Sequence, residues 1–242
     1  MSSTGAPVLV VHGRSRRARD LAAGVATLLR VGGRPVLGVR PAEAAWPPEV
    51  AADGTDLVLV GEDTDLAALL PAACGRRLGV VPVGRAPLLC GAWQLPTEPT
   101  AAVQRVLHGV ATPQGLARAG GGWMAFEARL RPRSGPGVGA WRGPVVPRRG
   151  ADRDLLRTVL WEVDGVRATP GALPVVRVDP RTAREPCVAG GLLAHDGRAA
   201  PTGGVARVTL AAPGHDVVVD GVVAGPGPVT LTWTPGALEV WR

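Results

Sequence analysis

The sequence predicts a two-domain protein: an N-terminal parallel-sheet α/β domain over residues 1–112, then a mostly antiparallel, β-sandwich-like domain over residues 113–242. Three observations predict it. Short continuous apolar runs alternate with amphipathic helical segments through the first 112 residues, the pattern of strands buried on both faces between helices. From about Gly120 that alternation gives way to short β-type runs set apart by Gly and Pro. The 242 residues, 46% of them hydrophobic, can bury one large or two modest cores, and the change of texture favours two.

Each element follows in order. "APVLVV" (Ala6–Val11) reads as a buried strand and "RARDLAAGVATLLR" (Arg17–Arg30) as a helix, with Leu21, Val25, Leu28 and Leu29 on one stripe. "GRPVLGV", "TDLVLV" and "RLGVVPV" supply three more strands. "DLAALLPAAC" lies between the last two as a helix, and "PTAAVQRVLHGV" follows them as another. In such a sheet the functional loops sit at the C-terminal ends of the strands, so His12–Arg16, Gly61–Asp65 and Gly84–Cys90 are the loops that matter. In the second domain "WMAFEARLR", "ALPVVRVD", "ARVTLAA", "HDVVVDGVVA" and "PVTLTW" read as strands, with a helix at "DRDLLRTVLWEV" (Asp152–Val163) and a long loop over Arg131–Gly150. The last strands are free to return to the first domain. There is no internal repeat.

Composition narrows the chemistry. All 27 basic residues are arginine and the chain has no tyrosine, so a Schiff-base lysine and a phenolic acid are both excluded. Acid and base work falls to His, Asp, Glu or Cys. The three cysteines, Cys74, Cys90 and Cys187, are widely spaced without a CxxC pair, which supports neither a disulfide framework nor a zinc site and favours buried small hydrophobes. A net charge of +7 and a pI of about 11.1 suit an anionic partner: a nucleotide, a phosphorylated metabolite or an anionic membrane surface. Arginines are not interleaved with aromatics, which argues against nucleic acid. No apolar stretch is long enough to cross a bilayer. The N-terminus has neither a basic region nor a cleavage signal, so a cytoplasmic protein is expected.

The segment "TDLVLVGEDTDLAALL" (Thr55–Leu70) poses the central question. Strand, tight turn and helix is the layout of a phosphate-cradling loop, yet Glu62, Asp63 and Asp65 crowd the turn. A carboxylate about 5 Å from a phosphate oxygen costs about 1–3 kcal/mol at effective dielectrics of 80 down to 20.

The order "VLVVHGRSRR", "DLVLVGEDTDL", "RLGVVPVGRAPLLCGAWQLPTEPTAAVQRVLHG" and "DVVVDGVVAGPGPVTLTWTPGALEV" resembles the diacylglycerol kinase catalytic family, the bacterial lipid-kinase and sphingosine-kinase-like group that shares its fold logic with NAD kinases. The resemblance covers the first 110 residues and the last 30, and implies ATP and Mg2+ as cofactors. Against the family's Asn-Pro-x-Ser-Gly, Ser15 matches, His12 and Gly13 stand in the Asn-Pro places and Arg16 replaces glycine. Against Gly-Gly-Asp-Gly-Thr, Gly61 and Asp63 match, while Glu62, Thr64 and Asp65 replace Gly, Gly and Thr. In Pro-x-Gly-Thr-x-Asn, Pro82 and Gly84 match and Arg85, Ala86 and Pro87 replace the rest. In the late Asp-Gly-Glu, Asp220 and Gly221 match and Val222 replaces the glutamate.

The resemblance makes Asp63 the candidate base for an acceptor hydroxyl. Gly61, Glu62, Asp65, Ser15, Arg14, Arg16, Gly84 and Arg85 become the candidate nucleotide contacts, and Asp220 a metal ligand. His12, at the end of the first strand, and His195, after a glycine-rich strand, join Asp63 as candidate catalytic groups. Helix-start capping competes as the role of Asp63, and a tight turn competes for Asp220. Trp93 and Trp123 are the tryptophans placed to line an interdomain cleft, where a small-molecule or lipid substrate would bind. Three readings compete: a lipid or small-molecule kinase with arginines replacing lost phosphate contacts, a fold relative recruited to other chemistry or small-molecule binding in a biosynthetic pathway, and a catalytically silent pseudokinase acting as a regulatory partner. Peripheral contact with a membrane and a homodimer stay open.

Overall fold

The computed structural model describes residues 6–42, 54–84, 88–120, 122–133, 157–179, 181, 189–197 and 200–242. Arg85, Cys187 and most of the loop expected over Arg131–Gly150 lie outside the described residues. The chain divides into two compact units. One comprises the residues up to Gly115 together with Gly236–Arg242, and the other is drawn from the residues between Leu116 and Pro235.

In the first unit the strands β1 (Val8–His12), β2 (Val36–Pro41), β3 (Asp56–Gly61) and β4 (Arg77–Pro82) pair in the order β2-β1-β3-β4, all parallel. Unbroken apolar runs make this arrangement favourable: every residue of β3 is buried, as parallel strands covered on both faces require. Helix α1 (Arg16–Val31) buries Ala18, Ala22, Val25, Ala26 and Leu29, so the buried stripe keeps Val25 and Leu29 of the expected one but leaves Leu21 half-buried and Leu28 exposed. The other helices are α2 (Asp63–Ala73), α3 (Leu88–Trp93) and α4 (Pro99–His108). The core joins Val8, Val10, Val58, Val60 and Val81 to Leu29 of α1, to Val103 and Val106 of α4, and to Trp241 near the C-terminus.

The second unit is two antiparallel layers around one core. In one layer β12 (Thr202–Val205), β11 (Leu192–His195), β10 (Val175–Val178), β7 (Glu127–Pro132), β14 (His215–Val219) and β15 (Val222–Gly225) follow each other in that order. In the other, β8 (Leu160–Val163) pairs with β9 (Val166–Arg167) and with β13 (Arg207–Ala211), which pairs in turn with Val229–Thr232 at the start of β16 (Val229–Trp241). Leu130, Val176, Leu192 and Val217 meet Trp161, Val208, Leu231 and Trp233 between the layers. The end of β16 pairs parallel with β4, placing Glu239 opposite Arg77. Two further strands, β5 (Ala111–Ala119) and β6 (Gly122–Met124), pair antiparallel.

The helix expected over Asp152–Val163 ends earlier than expected: Arg157 and Thr158 are helical, Asp152–Leu156 lie outside the described residues, and Leu160–Val163 is strand β8. The deciding signal is Asp164-Gly165. Both residues have positive φ (46° and 85°), which closes a two-residue hairpin between β8 and β9. The Asp164 carboxylate then accepts the backbone N–H groups of Ala206 and Arg207 at 3.0 and 2.7 Å, joining that hairpin to β13.

Candidate functional site

The C-terminal ends of β1, β3 and β4 bring three loops together within the first unit. The chain leaves β1 at His12, and the Gly13 N–H donates to the Val60 carbonyl at 2.9 Å. The chain leaves β4 at Pro82, and the Val83 N–H donates to the Gly61 carbonyl, also at 2.9 Å. Ladder bonding therefore continues past the strand ends and fixes the loops. Ser15 caps α1: its Oγ accepts the Ala18 N–H at 3.1 Å, so this hydroxyl serves the helix start. His12 is half-buried, with Nδ1 2.8 Å from the Gly13 carbonyl.

The structure separates the three carboxylates of the β3–α2 turn. Asp65 is 8% exposed, and its carboxylate accepts the backbone N–H of Glu62 at 2.8 Å and, 51 residues away in sequence, that of Arg14 at 3.3 Å. Gly13 and Gly61 flank it so closely that a Cβ on either would stand 1.9 or 2.7 Å from the Asp65 Oδ2. Glu62 is the exposed N-cap residue of α2. Asp63 is the first residue of that helix, half-buried and near Cys90. Burial, helped by the negative charge of Asp63, pushes the Cys90 thiol up to about 11, which removes it as a nucleophile at neutral pH.

Arginine surrounds the entrance to α1. Arg14, Arg16 and Arg17 are exposed, and the Arg16 guanidinium lies 3.7 Å from Asp20 one turn on. Arg16, Arg17, Asp20, Leu21 and Pro99 line a groove of about 580 Å³. Gly84, with φ of 106°, turns the chain out of β4 in a conformation that favours glycine. Trp93 is fully buried, and its indole N–H has no hydrogen-bond partner among the described residues.

The two remaining candidates belong to the second unit. His195 ends β11, opposite Val175. Burial and the nearby Arg177 lower its pKa, which favours the neutral ring, and its Nε2 is buried without a hydrogen-bond partner among the described residues. Asp220 sits in the Asp220-Gly221 turn between β14 and β15. Its carboxylate accepts three backbone N–H groups, from Ala125 (2.5 Å), Phe126 (3.0 Å) and Glu127 (2.8 Å). Val222, beside it, is exposed.

In each unit taken by itself the carboxylates are poorly disposed for a magnesium ion: Asp65 in the first and Asp220 in the second direct their oxygens at backbone amides, and the described residues contain no group of three His, Cys, Asp or Glu side chains placed to hold a metal.

The fold that carries these loops is that of the diacylglycerol and NAD kinases. The chain is similar to a diacylglycerol kinase from Bacillus anthracis str. Sterne, with a TM-score of 0.67 at 12% identity over 100% of this chain and 98% of that one. It is also similar to an NAD kinase from Archaeoglobus fulgidus solved in complex with ATP, with a TM-score of 0.58 at 14% identity over 97% of this chain and 93% of the other. No family model and no curated protein matches the sequence. No helix among the described residues is long and apolar enough to cross a membrane.

The sequence names the three loops and, through the resemblance, makes Arg14 and Ser15 candidate nucleotide contacts. In the structure the Arg14 backbone N–H binds Asp65 and the Ser15 hydroxyl caps a helix. The proximity of Cys90 to Asp63 was not foreseen; its only signal was that Gly61–Asp65 and Gly84–Cys90 end neighbouring strands.

Proposed function

We propose that this chain is a diacylglycerol kinase-like protein whose nucleotide site has been rewritten, and that it binds an anionic small molecule or lipid headgroup beside the arginines of α1 without transferring phosphate from Mg-ATP. The observation that carries the reading is the Asp65 carboxylate seated on the Arg14 and Glu62 amides, the donors a phosphate would otherwise use. Glu62 and Asp65 add negative charge at the same turn. Exposed Arg14, Arg16 and Arg17 supply the attraction for an anion.

Thermal stability measured against Mg-ATP tests this. A ligand at 100 times its dissociation constant raises stability by about 2.7 kcal/mol, so an intact nucleotide site gives a clear rise in Tm. No rise at millimolar Mg-ATP is the expected result, and a saturable one overturns the proposal.

A second reading, a lipid or small-molecule kinase, is favoured by one observation. Asp63 is half-buried at the first position of α2, just past the C-terminal end of β3, a placement that suits a base for an acceptor hydroxyl. Phosphate transfer from ATP to a glycerolipid, lost in Asp63→Asn, would establish it.

A further inference from the structure

The six-stranded layer of the second unit turns its apolar side chains to the core: Ala128 and Leu130 of β7, Val176 of β10 and Val217 of β14 all pack there. Strand alternation therefore puts Glu127, Arg129 and Arg131 of β7, Arg177 of β10 and Asp216 of β14 together on the opposite face. The register makes them neighbours. Glu127 pairs with Arg177, Arg129 lies between Val175 and Val218, and Arg131 stands opposite Asp216. Arg133, one residue past β7, reaches the same Asp216 at 3.0 Å.

Charge on this face does not balance. The Arg177 guanidinium donates to Glu127 at 2.9 Å, and Arg129 approaches the same carboxylate at 3.8 Å. Arg133 occupies Asp216, which leaves exposed Arg131 without an ion-pair partner among the described residues. Arg129, Arg131, Arg133 and Arg177 thus meet only Glu127 and Asp216. The two carboxylates are also the better covered, at 24% and 20% exposed, whereas Arg129, Arg133 and Arg177 are 41%, 48% and 56% exposed. Ion pairs this open to solvent are weak, so the guanidiniums can exchange them for an incoming anion.

We propose that this arginine ladder docks an extended acidic segment of a partner protein, with carboxylates at alternate residues set against Arg129, Arg131 and Arg133. Alternate residues of a strand stand about 6.7 Å apart, and those of an extended peptide repeat at the same interval. Each guanidinium then meets a carboxylate of its own, the planar paired contact for which arginine is suited. A single-stranded nucleic acid fits less well, because the residues on either side of Arg129 are Val175 and Val218, which give a base nothing to stack on. This surface belongs to the second unit alone and is independent of the site described in the first.

Fluorescence anisotropy of the full chain tests it, at about 0.1 M salt, with a rhodamine-labelled peptide of alternating glutamate and serine about ten residues long. Two probes of equal charge accompany it: the same residues arranged as one glutamate block and one serine block, and an oligothymidylate. The alternating peptide is expected to bind at least about fivefold more tightly than either, and Arg131→Ser to weaken it at least about fivefold. Arg30→Ser and Arg105→Ser, at exposed positions of the first unit, are expected to leave its affinity within about twofold. An equal loss in either of these, equal affinity for the block peptide or the oligonucleotide, or no binding at all overturns the proposal.

Arg131→Glu separates charge from shape at the same exposed position. It is expected to weaken the alternating peptide further than Arg131→Ser does, since repulsion then adds to the lost contact. A loss no larger than that of Arg131→Ser overturns the electrostatic match on which the docking rests.

Discussion

Arg34 and Asp56 form a 2.9 Å ion pair whose side chains are 14% and 6% exposed, and the Arg34 guanidinium lies 5.1 Å from the centre of the Trp241 ring. The pair joins the start of β3 to the turn after α1 and holds the C-terminal strand against both. Burial pushes the Asp56 carboxyl above its ordinary value despite the neighbouring arginine. Removing the cation alone therefore leaves an uncompensated charge in the core. Arg34→Met is expected to cost about 3–5 kcal/mol in urea unfolding, and the double change Arg34→Met with Asp56→Leu to recover most of it. A double variant as unstable as the single one would contradict this.

Asp220 makes stability depend on pH in a direction opposite to that of most carboxylates. Burial raises its pKa from 3.8 to about 6, although the three backbone N–H groups that bind it pull the other way. A folded pKa above the unfolded one stabilises fully below about 4, and that contribution is lost as pH rises through about 6. The change is about 3 kcal/mol for two units. Asp220→Asn removes it, so the difference in unfolding free energy between wild type and variant should shift by that order between pH 4 and pH 7. A constant difference would show that Asp220 titrates normally.

Ser15 should behave as a helix cap. Ser15→Ala is expected to cost about 1 kcal/mol of stability, and Ser15→Asp to be close to neutral, since either Ser or Asp can accept the Ala18 N–H. If Ser15→Ala leaves Tm unchanged, the cap contributes nothing.

Cys74 and Cys90 should resist alkylation in the folded protein, because burial pushes both thiols up to about 11. In a Cys187→Ser background, intact-mass measurement after iodoacetamide treatment at pH 7.5 should show no adduct until denaturant is added. Adducts on the native protein at a rate typical of free cysteine would refute this.

Asp63 and His12 are the groups to test for chemistry at the site. Asp63→Asn and His12→Ala are expected to leave the unfolding free energy within about 1 kcal/mol of wild type, as substitutions at exposed or half-buried positions do. Any turnover found for the protein should fall at least about tenfold in Asp63→Asn. Undiminished turnover in that variant would remove Asp63 from the mechanism.

The sequence determined the parallel sheet, the antiparallel second unit and the three loops at the C-terminal ends of β1, β3 and β4. Those follow from local patterns: buried runs such as Leu57–Val60, the stripe of α1, and the Asp220-Gly221 turn. It misassigned Leu160–Val163, where apolar spacing suited a helix and cross-strand pairing with β13 and the Asp164-Gly165 hairpin prevailed. Only the tertiary structure decided what "GEDTDL" does. Charge at a phosphate loop reads as repulsion while the residues are considered along the chain, because the partner of Asp65, the Arg14 amide, lies 51 residues away. Once the fold brings β1 beside β3, that charge finds backbone donors. The acid is then held by two backbone amides, one from its own helix-start capping box and one from Arg14, and only the second lies beyond any local pattern.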